Sequence, residues 1–162
     1  RGVELLWKQQ IFHNLNFPGN LNVNANYTFS QNRFIDFTDN DNTFDGNLLP
    51  GIPSNLFQVT LVWHPLKPLI LNVRFQYTGE QFINDANTVT NNAYFLSDAK
   101  VSYLFKTRQL GNVELFAGVN NITDTLYSPM LTVNAVAFGN AEPRYYYPGL
   151  PRHCYGGVSW SF

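Results

Sequence analysis

The densest run of potential metal ligands in the 162 residues is "DFTDNDNTFDG" at 36–46, which gathers Asp36, Asp39, Asp41 and Asp45 in one short stretch. Carboxylates so spaced suggest a calcium site, which surrounds the ion with oxygen ligands, and the EF-hand form of such a loop needs glycine at its sixth position for the turn. Counted from Asp39 that position is Phe44, so a solvated acidic loop is expected, with ordered calcium as the alternative. His153 and Cys154 are softer ligands, but neighbours along a strand face opposite sides and cannot hold one ion together. His13 and His64 fall near short turns and are expected as polar-interface residues rather than zinc ligands. No Ser/His/Asp or Cys/His set has a supporting context and no glycine-rich phosphate loop follows a strand, so neither catalysis nor a cofactor is expected. The segment "AEPRYYYPGLPR" at 141–152 is different. Arg144 with Tyr145, Tyr146 and Tyr147 offers a cation for an anionic group and aromatic faces for stacking. Such a lining suits a small-molecule ligand, with Arg144, Tyr145 and Tyr147 as the contacts. The alternative is a belt of tyrosines at a membrane interface.

These residues must be positioned by strands. Apolar and polar residues alternate seven times, over 2–12, 20–30, 57–64, 69–78, 93–106, 112–120 and 152–162. In "NLNVNANYTFS" at 20–30, Leu21, Val23, Ala25, Tyr27 and Phe29 interleave with Asn20, Asn22, Asn24, Asn26 and Thr28. No stretch keeps a helical period. The connections alternate in length: 13–19, 65–68 and 107–112 are short, whereas 31–55, 80–92 and 121–151 are long and polar. Tight turns at one end and wide loops at the other describe a meander of the outer-membrane barrel type. Loops of such length are unusual in a compact domain unless they do something.

The two faces indicate the solvent. One is apolar and free of charge, running through residues 3, 5 and 7, the odd positions of 21–29, 57–63, 69–77, 95–105 and 113–119, and the even positions of 154–162. The other carries Glu4, Lys8, Arg74, Asp98, Lys100 and Glu114 among Asn, Gln, Ser and Thr. An Arg or Lys facing the bilayer midplane costs about 2–4 kcal/mol, which explains a face without them. Aromatics towards strand ends, Tyr27, Phe57, Trp63, Tyr77, Tyr103, Phe105 and Trp160 among them, fit interfacial girdles. A soluble β-sandwich explains the alternation equally well, but not the alternating loop lengths or the Asn-rich opposite face.

Composition agrees. Charged residues make up 13% and aromatics 16%, asparagine occurs 21 times, and the net charge of −1 gives no electrostatic reason for nucleic acid. No run approaches the 18 apolar residues of a membrane helix, which leaves barrel strands open. No signal peptide opens the chain at "RGVELLW", and a longer protein processed or cut at this point is the expectation. Cys154 is alone and forms no internal disulfide.

"FAGVNNITDTLY" at 116–127, followed by "RYYYPGLPRHCYGGVSWSF" at 144–162, resembles the C-terminal end of TonB-dependent outer-membrane receptors. Asn120, Asn121, Ile122, Asp124 and Tyr127 match the "N-N-h-x-D-x-x-Y" segment (h, hydrophobic) that leaves their penultimate strand. Pro148, Gly149, Pro151 and Arg152 match the "P-G-x-P-R" before their last strand, and "LPGIPSN" at 49–55 is similar to the family pattern. The resemblance covers essentially the whole chain. It implies an all-β, antiparallel up-and-down transmembrane β-barrel, of which residues 1–162 supply about seven C-terminal strands. The whole would have about twenty-two strands and a plug. It also implies uptake of a scarce nutrient such as an iron chelate, with TonB acting through the plug and the long loops outside the cell. Gly157, Trp160 and Phe162 would be the signal read by the barrel-assembly machinery, and the outer-membrane lipid the surrounding partner. A passive porin, or a structural barrel segment in an envelope complex, is the alternative function.

Overall fold

The structure, a computed structural model of the chain, describes residues 1–12, 18–108 and 111–161. Among the described residues it has thirteen strands and no helix. In chain order they are β1 (Gly2–Ile11), β2 (Asn20–Ser30), β3 (Thr38–Asp39), β4 (Asn42–Thr43), β5 (Asn55–Leu66), β6 (Leu69–Thr78), β7 (Gln81–Phe82), β8 (Thr90–Asn91), β9 (Tyr94–Thr107), β10 (Gly111–Asn120), β11 (Met130–Leu131), β12 (Tyr146–Tyr147) and β13 (His153–Ser161). The seven long strands form one antiparallel sheet in the order β1-β2-β5-β6-β9-β10-β13, an unbroken up-and-down meander. The three long loops each contain a two-residue ladder, β3 with β4, β7 with β8 and β11 with β12, which the alternation pattern does not reveal.

Each anticipated strand is present, with corrections at two turns: of the connection expected over 107–112, Thr107 belongs to β9 and Gly111 and Asn112 to β10. The connection expected over 65–68 is only Lys67–Pro68, because β5 continues through Pro65 to Leu66. The pairing shifts register between Trp63 and Leu66, and a bulge there accommodates a residue that has no N–H to give to the ladder. At the neighbouring turn Gly19 has φ 79°, and a Cβ there would lie 1.9 Å from the His64 carbonyl oxygen, so only glycine fits.

The register sorts side chains as the alternation requires. Val23 pairs with Leu61 and Leu61 with Val73 on one face, while Asn24, Thr60 and Arg74 form the parallel row on the other. Along the apolar face Tyr27, Phe57, Tyr77 and Phe95 stand side by side on four successive strands near the long-loop end. Near the short-turn end Phe105 faces Val113, and Val113 faces Trp160. Phe95 and Phe105 lie ten residues apart on β9. At ~3.3 Å per residue that is ~33 Å along the strand, or about 25 Å of height once the strand tilts by ~40°, the thickness of a barrel's apolar band.

The sheet encloses no core of its own. Ile83, inside a loop, is the one buried apolar side chain among the described residues, whereas Val158 and Trp160 on the apolar face are 67% and 60% exposed. A sandwich requires a second sheet packed against that face, and among the described residues only two-residue ladders lie outside the one large sheet, which removes the sandwich alternative. The outer strands β1 and β13 do not pair with each other, so the barrel is not closed within this chain.

Candidate functional site

The polar face of β6, β9 and β10 carries a cross-strand charge ladder. Arg74 lies directly opposite Asp98, and its Nε donates to Asp98 Oδ2 at 2.8 Å. The other carboxylate oxygen accepts the backbone N–H of Asn121 at 2.9 Å, so one aspartate ties the wall to the end of β10. Lys100 Nζ reaches Glu114 at 3.6 Å while passing 4.4 Å above the ring of Phe116. Half-exposed pairs of this kind contribute little stability, about 0–1 kcal/mol, but they set Arg74 against Asp98 and Lys100 against Glu114 within the wall.

Two aromatic rings on this face lie over glycines of the neighbouring strand. A Cβ on Gly157 would come 2.6 Å from Phe116 Cζ, and one on Gly118 would come 2.5 Å from Tyr155 Cζ. Because Phe116 pairs with Gly157 and Tyr155 with Gly118, the two rings cover the backbone that the glycines leave open. Gly157 therefore has a packing function in the finished sheet. Trp160 lies on the apolar face opposite Val113. Phe162, the third residue of the expected assembly signal, is outside the described residues, as is His13.

The residues after β10 build a clasp. Asn121 is 3% exposed with φ 51°, a left-handed conformation that asparagine tolerates. Its Oδ1 accepts from Thr125 N at 2.9 Å, and its Nδ2 donates to the carbonyls of Thr125 at 2.9 Å and Leu150 at 3.1 Å. Asp124, also left-handed at φ 55°, accepts the Arg152 N–H at 2.7 Å. Gly149 donates its N–H to the Tyr127 carbonyl at 2.8 Å beneath the Tyr127 ring, leaving no room for a side chain. Asn120 bonds His153 Nε2 at 3.0 Å, and the other ring nitrogen donates to Pro151 O at 2.9 Å. The two motifs 120–127 and 148–152 thus close the base of the loop 121–152 on itself. His153 and Cys154 point to opposite faces.

The three long loops meet at one end of the sheet, where the sequence-predicted ligand residues are found. Arg144 is exposed. Tyr145 is half-buried, and its carbonyl accepts from Thr132 N at 2.9 Å. Tyr147 is exposed in β12 opposite Met130. Tyr146, left out of the sequence-based set, donates its hydroxyl to Thr90 O at 2.7 Å and lines a cavity of about 340 Å³ with Asn91, Asn92, Tyr127 and Ser128. Tyr127 also packs on Tyr94 with ring centres 5.2 Å apart. None of Arg144, Tyr145 and Tyr147 lines that cavity; they stand beside it. A run of three tyrosines gives no sign of which one turns inwards, because the alternation within so short a ladder has no anchor in the sequence.

A second cavity of about 650 Å³ opens beside the loop 31–54, lined by Asn32, Arg33, Phe34, Ile35 and Leu49. In the acidic stretch, Asp45 Oδ1 accepts from Phe37 N at 2.7 Å and Asp39 Oδ2 from Asn40 Nδ2 at 3.3 Å. Left-handed backbone at Asp36, Asn40 and Asp41 makes the turns.

Comparison with known proteins places this geometry. Residues 1–122 match the sequence model of the family described as TonB dependent receptor-like, β-barrel. The ferrioxamine receptor of Yersinia enterocolitica is 28% identical over 144 residues, covering 88% of this chain and 19% of that protein. Among solved structures, the siderophore receptor PiuA of Acinetobacter baumannii superposes with a TM-score of 0.73 at 18% identity, over 98% of this chain and 21% of its own. The unliganded ferric citrate transporter FecA gives 0.67 at 23% identity, over 85% of this chain and 20% of its own. The chain thus spans about a fifth of the length of the relatives it matches.

Proposed function

The chain belongs to the TonB dependent receptor-like β-barrel family, whose members are receptors and transporters rather than enzymes, and from that premise we propose that it is the C-terminal wall and loop rim of an outer-membrane receptor for energy-coupled uptake of an iron chelate. Residues 1–162 are the last seven strands of a barrel of about twenty-two. The remaining strands pair with the edges of β1 and β13, since an unpaired edge in lipid leaves backbone groups unsatisfied. A plug domain fills the polar side and links the receptor to TonB.

The observation that carries this reading is the division of labour between the two ends and two faces of a single-layer sheet. The uncharged face with its two aromatic levels matches a bilayer, and the long loops at one end form a rim with cavities. The ferrioxamine, siderophore and ferric citrate proteins it resembles support a ferric chelate as the ligand class. In this reading the rim lies outside the cell and Arg144, Tyr145 and Tyr147 meet the chelate. Trp160 and Phe162, with Gly157, act during assembly as the signal for the barrel-assembly machinery.

The test is an uptake assay on cells with matched receptor levels, comparing the intact receptor with Arg144→Ala, Tyr145→Ala and Tyr147→Ala combined. Loss of one charge-assisted contact and two stacking faces is expected to weaken apparent affinity by about tenfold or more. Unaltered affinity at equal abundance would return these residues to an interfacial belt.

A further inference from the structure

The loop 79–93 sits between the other two and is bonded to both. Towards 31–54, Asn87 makes a paired amide contact with one residue. Its Oδ1 accepts from Leu48 N at 2.7 Å and its Nδ2 donates to Leu48 O at 2.8 Å, so the side chain completes a strand-like pairing that the backbone does not make. Asn47 Nδ2 adds a bond to Asp85 O at 2.8 Å, Gly51 N one to Phe82 O at 2.7 Å, and Gln81 Nε2 one to Gly51 O at 2.9 Å. Towards 121–152 the same device recurs with Asn134. Its N–H donates to Ile83 O at 2.9 Å, its Oδ1 accepts from Asp85 N at 3.0 Å, and its Nδ2 donates to Asp85 Oδ2 at 2.8 Å. Both asparagines have left-handed backbone, φ 53° and 51°, which turns their amides sideways onto the neighbouring loop. Between these contacts lies Ile83, fully buried. Thr90 and Asn91 complete the join through the Tyr146 hydroxyl and the Ser128 carbonyl.

We infer that the loop 79–93 is the coupling element of the rim, with Asn87 and Asn134 as positioning residues that make the three loops open and order as one unit. Residues 47–51 bond one side of this loop and Asn134 the other, with Asp85 contacted from both. Disorder at Asn134 therefore reaches Leu48 through Asp85 and Asn87, although Asn134 and Leu48 are in different loops. The functional consequence, that the hairpin bearing Tyr145 and Tyr147 is held in place from 31–54, rests on the proposed ligand role of the rim. The coupling itself does not.

The experiment is amide hydrogen exchange in the full-length receptor in detergent, read at peptides covering 47–51. Asn134→Gly keeps the left-handed backbone and removes the amide; Asn134→Asp keeps the size but sets a second carboxylate against Asp85. Both are expected to speed exchange at 47–51 by about fivefold, the effect of about one net hydrogen bond. Asn134→Asp combined with Asp85→Asn restores a donor–acceptor pair with the roles exchanged and is expected to return protection towards the parent value. Exchange at 47–51 unchanged in both single variants, with loss confined to 83–85 and 132–136, would overturn the coupling. Failure of the double variant to recover protection that the single variants lose would overturn the role given to the Asn134–Asp85 pair. Chelate uptake is read separately. Coupling without an effect on uptake would count against the ligand role of the rim, and an effect on uptake without coupling against this inference.

Discussion

Gly157 shows how one residue can serve two accounts. By sequence it belongs with Trp160 and Phe162 in a terminal assembly signal; in the fold it lies under Phe116, where a Cβ would come 2.6 Å from the ring. The two are separable by substitution. Gly157→Ala is expected to destabilise the assembled receptor by about 1–3 kcal/mol, the usual effect of overpacking a filled site. Phe116→Ala in the same chain should remove most of that penalty, because the ring that the new methyl meets is gone. Urea unfolding of the purified receptor, followed by tryptophan fluorescence through the four-variant cycle, measures it. Additive effects would mean that the ring and the glycine do not interact. Asn121 and Asp124 make the related point that a motif recognisable by resemblance can be a clasp. Their side chains hold the start and end of one loop, through Leu150 and Arg152, rather than reaching for a ligand.

At the scale of elements, the alternation of single strands carries the account. With Cys154 replaced by serine, cysteines placed singly at Val23, Ala25, Leu61, Val73 and Val158 of the full receptor should react with a lipid-soluble maleimide. Those at Asn22, Asn24, Thr60 and Asn72 should react with a water-soluble one. Preferential lipid-side labelling of the asparagine positions would invert the wall. This much was legible in the sequence because a strand's period of two needs no partner to be seen. The end of β5 was less so: Pro65 reads as a turn residue, and only the bulge between Trp63 and Leu66 lets the strand run past it. The loop ladders β3 to β4, β7 to β8 and β11 to β12 are two residues long, too short for any period to register. Nor could the site be read in full. Arg144, Tyr145 and Tyr147 were singled out by type, but the cavity beside them is lined by Tyr146, Asn91 and Tyr127 from two loops distant in sequence. Asn87 and Asn134 look like any of the chain's 21 asparagines until their backbone turns left-handed.

For the whole molecule, an uncharged apolar face, a polar face with two cross-strand ion pairs, and three loops joined at one end make the segment of barrel wall that the proposed receptor requires. A segment that leaves β1 and β13 unpaired with each other has no closed barrel, so function is a property of the complete receptor. The central claim is that this receptor captures a ferric chelate at the rim and imports it with energy from TonB, rather than forming an open pore. The most direct measurement is uptake of radiolabelled ferric chelates of the hydroxamate, citrate and catecholate classes by iron-starved cells carrying the full receptor, with and without functional TonB. The account predicts saturable uptake of one class, abolished when TonB is inactive. Uptake that rises linearly with concentration, and is indifferent to TonB, would contradict it.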